Sequence, residues 1–138
     1  MSKAIDTLTE AMQRAEMIRP RVGGFPTLAE VLRQAGVRRN VWSIPGCQSL
    51  FLTKEGPVVM QGKPLVEGAA DVPVFDESAL IRALRTDQAG ESTFPQFLEA
   101  SWRAGVVRYD VDFEARTVTY QGCNCEEYVE AYPAVSIG

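Results

Sequence analysis

Histidine is absent from this 138-residue chain and cysteine occurs three times. No apolar run approaches the ~18 residues that span a bilayer. Without imidazole there is no Ser-His-Asp or Cys-His nucleophile, no His-ligated zinc and no imidazole pH switch. Three thiols, Cys47, Cys123 and Cys125, fall short of a four-cysteine zinc site, and completing the set with Glu126 or Glu127 gives an uncommon ligand combination. No metal or cofactor is expected. Cys123-Asn124-Cys125 leaves little room for an unstrained bridge, so reduced thiols and a cytoplasmic location are expected. The opening stretch MSKAIDTLTEAMQRAEM intersperses charges and lacks the uninterrupted apolar segment of a signal peptide. There is no P-loop, no Gly-x-Gly-x-x-Gly and no Gly-x-Ser-x-Gly.

What is present is the composition of a soluble domain, 46% hydrophobic and 23% charged. At this length folding buries roughly two-thirds of the surface of the unfolded chain, enough for one core without staples. Charge is uneven: the net is -4. Residues 1–40 hold seven basic groups (Lys3, Arg14, Arg19, Arg21, Arg33, Arg38, Arg39) against four acids, and the remainder holds seven against fourteen. A nucleic-acid binder concentrates basic groups to neutralise phosphates; here a solvated helix surface explains the arginines, and a nucleic-acid partner is not expected.

Apolar periodicity predicts a helix over Ala4–Ile18 with Ile5, Leu8, Met12 and Ala15 inward. Thr27-Leu-Ala-Glu30 reads as a capping box opening a second helix, with Leu28, Val31, Leu32 and Ala35 buried and Gly36 as its left-handed cap. Strands follow at Val37–Ile44, Ser49–Thr53 and Pro57–Gln61. After an irregular connection over Gly62–Pro73, Asp76 caps a third helix that buries Leu80, Ile81 and Leu84. Thr93-Phe-Pro-Gln96 caps a fourth, burying Phe94, Phe97, Leu98 and Trp102. Val107, Tyr109, Val111 and Phe113 alternate with Arg108, Asp110 and Asp112 as a half-buried strand. Thr117–Gln121 and Glu127–Tyr132 complete the pattern.

The order is therefore ααβββ twice. Phe25-Pro-Thr-Leu-Ala-Glu-Val-Leu-Arg-Gln-Ala-Gly-Val-Arg-Arg39 aligns without a gap on Phe94-Pro-Gln-Phe-Leu-Glu-Ala-Ser-Trp-Arg-Ala-Gly-Val-Val-Arg108, seven matches in fifteen at an offset of 69. Capping grammar explains the shared proline, glutamate and glycine, but not the shared Phe, Val and Arg. The fold expected is α+β: a single domain over 1–138, an internal duplication with halves of about 1–69 and 70–138, antiparallel strands, and a pseudo-two-fold axis between the halves. Divergent paths for 25–61 and 94–130 would count against it.

Few constellations carry chemistry. Helix 76–89, helix 94–104 and hairpin 106–121 follow the order of a winged helix, yet the second helix offers one basic residue, Arg103, beside Glu99. Asp110 and Asp112 share a strand face with Arg108, so two carboxylates and a guanidinium could act as acid and base or hold a divalent cation; a solvated strand face is the plainer explanation. Arg39 and Arg108 are related by the repeat and could line a cleft for an anion. The polar loop from Arg85 to Thr93, with Asp87 in it, is a further ligand-binding candidate.

Val22-Gly-Gly-Phe-Pro26, Leu28-Ala-Glu-Val-Leu-Arg-Gln-Ala-Gly36, Ala83-Leu-Arg-Thr-Asp-Gln-Ala-Gly-Glu-Ser-Thr-Phe-Pro95 and Gly105-Val-Val-Arg-Tyr-Asp-Val-Asp-Phe-Glu-Ala-Arg-Thr-Val-Thr-Tyr120 resemble the YdfO/YbcV-like family. That resemblance covers nearly the whole chain. It implies a compact cytoplasmic α+β domain of unknown function from enterobacterial genomes, often within prophages and sometimes labelled a phage envelope protein. It carries over no catalytic or binding residue. With no catalytic set complete, the weight shifts to a binding or interaction module with a protein partner or a homodimer and no membrane. The alternative is a small enzyme using carboxylate and arginine groups, or thiols. The candidate ligand-binding residues are Arg39, Arg85, Asp87, Arg108, Asp110 and Asp112.

Overall fold

A computed structural model describes residues 2–20 and 22–137; Arg21 of the basic N-terminal set lies outside them. The elements are α1 (Lys3–Ile18), α2 (Phe25–Gln34), β1 (Val37–Ser43), β2 (Gln48–Thr53), β3 (Gly56–Gln61), α3 (Glu77–Gln88), α4 (Phe94–Arg103), β4 (Val106–Asp112), β5 (Thr117–Gly122) and β6 (Glu127–Ala131). The fold is α+β, with one antiparallel six-stranded sheet ordered β3-β2-β1-β4-β5-β6. The helix-helix-strand pattern occurs in both halves, and residues 25–61 and 94–130 pass through the same succession of elements.

Ser2 caps α1 by accepting from the Ile5 amide at 3.2 Å. The buried stripe of α1 is Ala4, Leu8, Ala11 and Ala15, rotated from the expected one so that alanines lie against the core while Ile5 and Met12 pack beside it. Thr27 does not cap α2. That helix opens three residues earlier, with Gly24 as N-cap, no side-chain cap bond and a proline in its first turn. The Glu30 carboxylate turns instead toward the C-terminus, accepting from Arg33 at 2.8 and 2.7 Å and from Gln34 at 3.0 Å. Asp76 and Thr93 cap α3 and α4 as expected, Thr93 and Gln96 forming the reciprocal capping box. Phe94 is the exception in α4: it is 47% exposed, because at the first helical position it reaches over the end of the core to the Trp42 ring, 5.1 Å between centroids.

Sheet registers repeat at the same offset. Pairing of β1 with β2 slips between Val37 and Arg39, and pairing of β4 with β5 slips between Val106 and Arg108, 69 residues on. Three left-handed positions coincide as well: Gly36 with Gly105, Cys47 with Arg116, and Gly56 with Cys125. Where β1 meets β4, Arg39 pairs with Asp112 and Ser43 with Arg108, while Asn40 pairs with Val111 and Trp42 with Tyr109. Each couple interchanges under the offset, so the local dyad runs through the Val41–Asp110 pair. The second outer hairpin is one residue longer than the first: Gln48 pairs with Gln61, but Thr117 pairs with Ala131.

The core lies between the helices and one face of the sheet. Val58, Phe51, Asn40, Val111 and Val118 line up across five strands on that face and are buried. Beside them runs an aromatic ladder, Trp42, Tyr109, Tyr120 and Tyr128, with successive centroids 6.0, 5.5 and 6.4 Å apart. Offset and tilted stacking at such separations adds to the burial of each ring. No strand residue of the opposite face is buried, so this sheet is two-sided in chemistry, apolar toward the helices and open on the other side.

Candidate functional site

The open face carries the most developed polar cluster. Arg39 extends from β1 to β4, where its Nε and Nη2 donate to the two Asp110 carboxylate oxygens at 3.2 and 2.9 Å. Its Nη1 lies 3.7 Å from Asp112 Oδ2. This two-pronged contact uses the planar fork of the guanidinium, and pairing with Asp110 holds the Arg39 proton more tightly than usual. The other Asp112 oxygen accepts from the Glu114 and Ala115 amides, both at 3.1 Å, closing the β4–β5 turn. Arg38, Arg39, Asp112, Glu114 and Ala115 border an open recess of about 430 Å³.

Arg108, the repeat-mate of Arg39, has no ion pair among the described residues. The dyad explains this. Arg39 faces Asp110 and Asp112, whereas the corresponding positions facing Arg108 are Val41 and Ser43. The two arginines therefore do not converge, and the two aspartates are already bridged by Arg39. Such an arrangement fixes side chains and balances charge. It does not present a free acid–base pair, and among the described residues no group of three or more Cys, Asp or Glu side chains is placed to hold a metal ion.

Arg85 and Asp87 lie elsewhere, over the helix-facing side of the sheet. Arg85 pairs with Glu130 on β6 and donates to Gln88 Oε1 at 2.8 Å. Glu130 Oε1 also accepts from Gln88 at 3.1 Å, while its Oε2 is buried without a hydrogen-bond partner among the described residues. Burial pushes the Asp87 carboxyl up, opposed by its contact with the Ser92 hydroxyl, 3.4 Å away, and by Arg19. Burial likewise pushes the Tyr109 and Tyr120 hydroxyls well up, with nearby acidic groups adding to the effect, so both rings stay neutral in ordinary buffers. The loop at Gly90–Thr93, with Gln96, borders a second open recess of about 260 Å³. The six candidate residues thus divide between two faces and form no single site.

Sequence reasoning missed the remainder of the open face. Its central row runs Val59, Leu50, Val41, Asp110, Thr119 and Val129 across all six strands. Val59 and Val129 are more than half exposed. The alternation of β2 and β3 carried a signal, since Leu50 and Leu52 sit out of phase with the buried Ser49 and Phe51, but alternation alone does not say which phase the helices cover. The thiols do not meet: Cys47 is buried, and burial raises its pKa, whereas Cys123 and Cys125 are exposed.

These features define an α+β domain of two ααβββ halves with one covered and one open sheet face. The chain belongs to the family of the mycobacterial proteins named "Uncharacterized protein Rv2012", from Mycobacterium tuberculosis strain H37Rv, and "Uncharacterized protein Mb2035", from Mycobacterium bovis. It is 55% identical to each over 135 residues, which cover 98% of this chain and 82% of theirs. No protein-family model matches the chain.

Proposed function

We propose that this chain is a binding and interaction module rather than an enzyme, and that the open face of the sheet is its working surface. The observation carrying this reading is the central row of that face, whose β3, β2 and β1 positions are Val59, Leu50 and Val41 with no helix over them. An uncovered face with an aliphatic end and polar flanks is the chemistry of a protein contact surface, whereas substrate pockets are enclosed. The recess beside Arg39 and the one at Gly90–Thr93 are both open to solvent. The carboxylate–arginine enzyme is the weaker reading, because Arg39 already neutralises Asp110. DNA is not the partner proposed: the one basic side chain of α4, Arg103, pairs with Glu99 on its own helix.

The same proposal places the protein in the cytoplasm, where exposed Cys123 and Cys125 remain reduced; among the described residues no helix is long and apolar enough to cross a membrane. It also takes the two halves as products of an internal duplication, supported by registers and left-handed positions that recur 69 residues apart. A prophage lineage of the YdfO/YbcV type rests on the sequence resemblance alone. Native mass spectrometry of the untagged protein tests the functional reading. A protein–protein assembly without a small-molecule adduct is expected; a monomer retaining a stoichiometric small molecule would overturn it in favour of the enzyme.

A further inference from the structure

The open face is complementary to itself. Flanking its central row are two outer rows: Ser43 and Arg108 lie on one side, Arg39 and Asp112 on the other. Consider a second copy turned by half a revolution about an axis along the central row. Each central-row residue then meets its own counterpart, and the outer rows exchange places. Arg108, without an ion pair among the described residues, stands opposite Asp112 of the copy, and Asp112 opposite the copy's Arg108. Val59, Leu50 and Val41 meet aliphatic counterparts. Asp110 also meets itself, but Arg39, 2.9 Å away in the same chain, neutralises it.

We propose that the protein forms an isologous dimer through this face, with the two sheets packed one on the other. The inference rests on the reading of the open face as the working surface and names its occupant as a second copy. Isologous contacts require a patch to complement itself, and on the central strands this one carries two guanidinium groups and two carboxylates. Copies with a net charge of -4 each therefore meet at β1 and β4 through a locally neutral patch. Twisted sheets pack face to face at about 30° to one another, and such a rotation displaces residues least at the centre, where β1 and β4 hold Val41, Arg108 and Asp112. Six strands of about six residues project roughly 600 Å². Side-chain relief raises the accessible area above that projection, toward the ~800 Å² per partner of a stable interface.

Sedimentation equilibrium at tens of micromolar tests the dimer, with a mass near twice 15.2 kDa expected. Arg108→Asp sets like charges opposite each other at both symmetry-related contacts and is expected to weaken the dimer at least about tenfold. Asp112→Arg does the same in reverse. An equimolar mixture of these two variants is expected to regain a heterodimer, because both contacts then join opposite charges. Asp112 also supports a turn, so a second measurement stands apart from it. In a Cys123→Ser, Cys125→Ser background, Val41→Cys on the axis is expected to form an intermolecular disulfide with oxidised glutathione, and Ser43→Cys in the outer row is not. A monomeric wild type overturns the proposal, as does a dimer indifferent to Arg108→Asp or equal cross-linking at the two cysteines. A monomer leaves the interaction-module reading to the native mass spectrum, so the two fail separately.

Discussion

Asn40 is one of three buried polar side chains among the described residues, with Ser49 and Ser101. Its amide donates to Ser49 Oγ at 2.8 Å and to the Leu50 carbonyl at 3.2 Å, while its oxygen accepts from the Trp42 indole at 2.9 Å. Removing it takes a hydrogen-bond partner from all three groups, so Asn40→Ala is expected to cost about 1–3 kcal/mol, read from the urea midpoint. Glu30 gives a pH signature. Hydrogen bonds from Arg33 outweigh the effect of burial and, with Gln34, hold its pKa at about 2 against an ordinary 4.5. Because the folded value is the lower one, its stabilisation is present above pH 4.5 and fades as pH falls toward 2. The stability difference between wild type and Glu30→Gln is therefore expected to shrink across that interval in urea titrations. Residue identity made Arg39, Asp110 and Asp112 legible as candidates, but their grouping was not. Spacing along one strand groups Arg108 with Asp110 and Asp112, yet it is Arg39, 71 residues from Asp110, that pairs with them.

Element starts and stops followed local chemistry wherever one signal acted. Asp76 and Thr93 cap as their sequences require. At Thr27 two signals competed, a capping-box pattern and a proline in the first turn, and the proline with Gly24 prevailed, as the equivalence of Phe25-Pro26 with Phe94-Pro95 implies. Gly36 and Gly105 both end helices in the left-handed region, at φ 96° and 85°, yet they differ in surroundings. A Cβ on Gly36 meets only the flexible Lys54 side chain, at 3.3 Å, whereas one on Gly105 falls 2.6 Å from the Phe75 backbone. Gly36→Ala is expected to cost about 1–2 kcal/mol for handedness alone. Gly105→Ala is expected to cost more, because the 62–76 connection must move, and the thermal midpoints of the two variants compare them directly.

At the level of the molecule, the halves depend on each other. β1 is flanked by β2 and β4, so a chain ending at residue 69 exposes β1 as an edge and loses three of the four rings of the aromatic ladder. Small units bury proportionately less surface. Fragment 1–69 is therefore expected to give a disordered far-UV circular dichroism spectrum, where the full chain gives an α+β one.

The sequence by itself determined the order of elements, the α+β class and the repeat offset, because helix periods, caps and strand alternation act over a few neighbouring residues. It also excluded histidine chemistry outright. Only the tertiary structure decided which sheet face the helices cover, since alternation has two phases and packing selects one. The dyad through Val41 and Asp110 likewise exists only once β1 pairs with β4, and it sets Arg39 against two aspartates and its repeat-mate Arg108 against Val41 and Ser43.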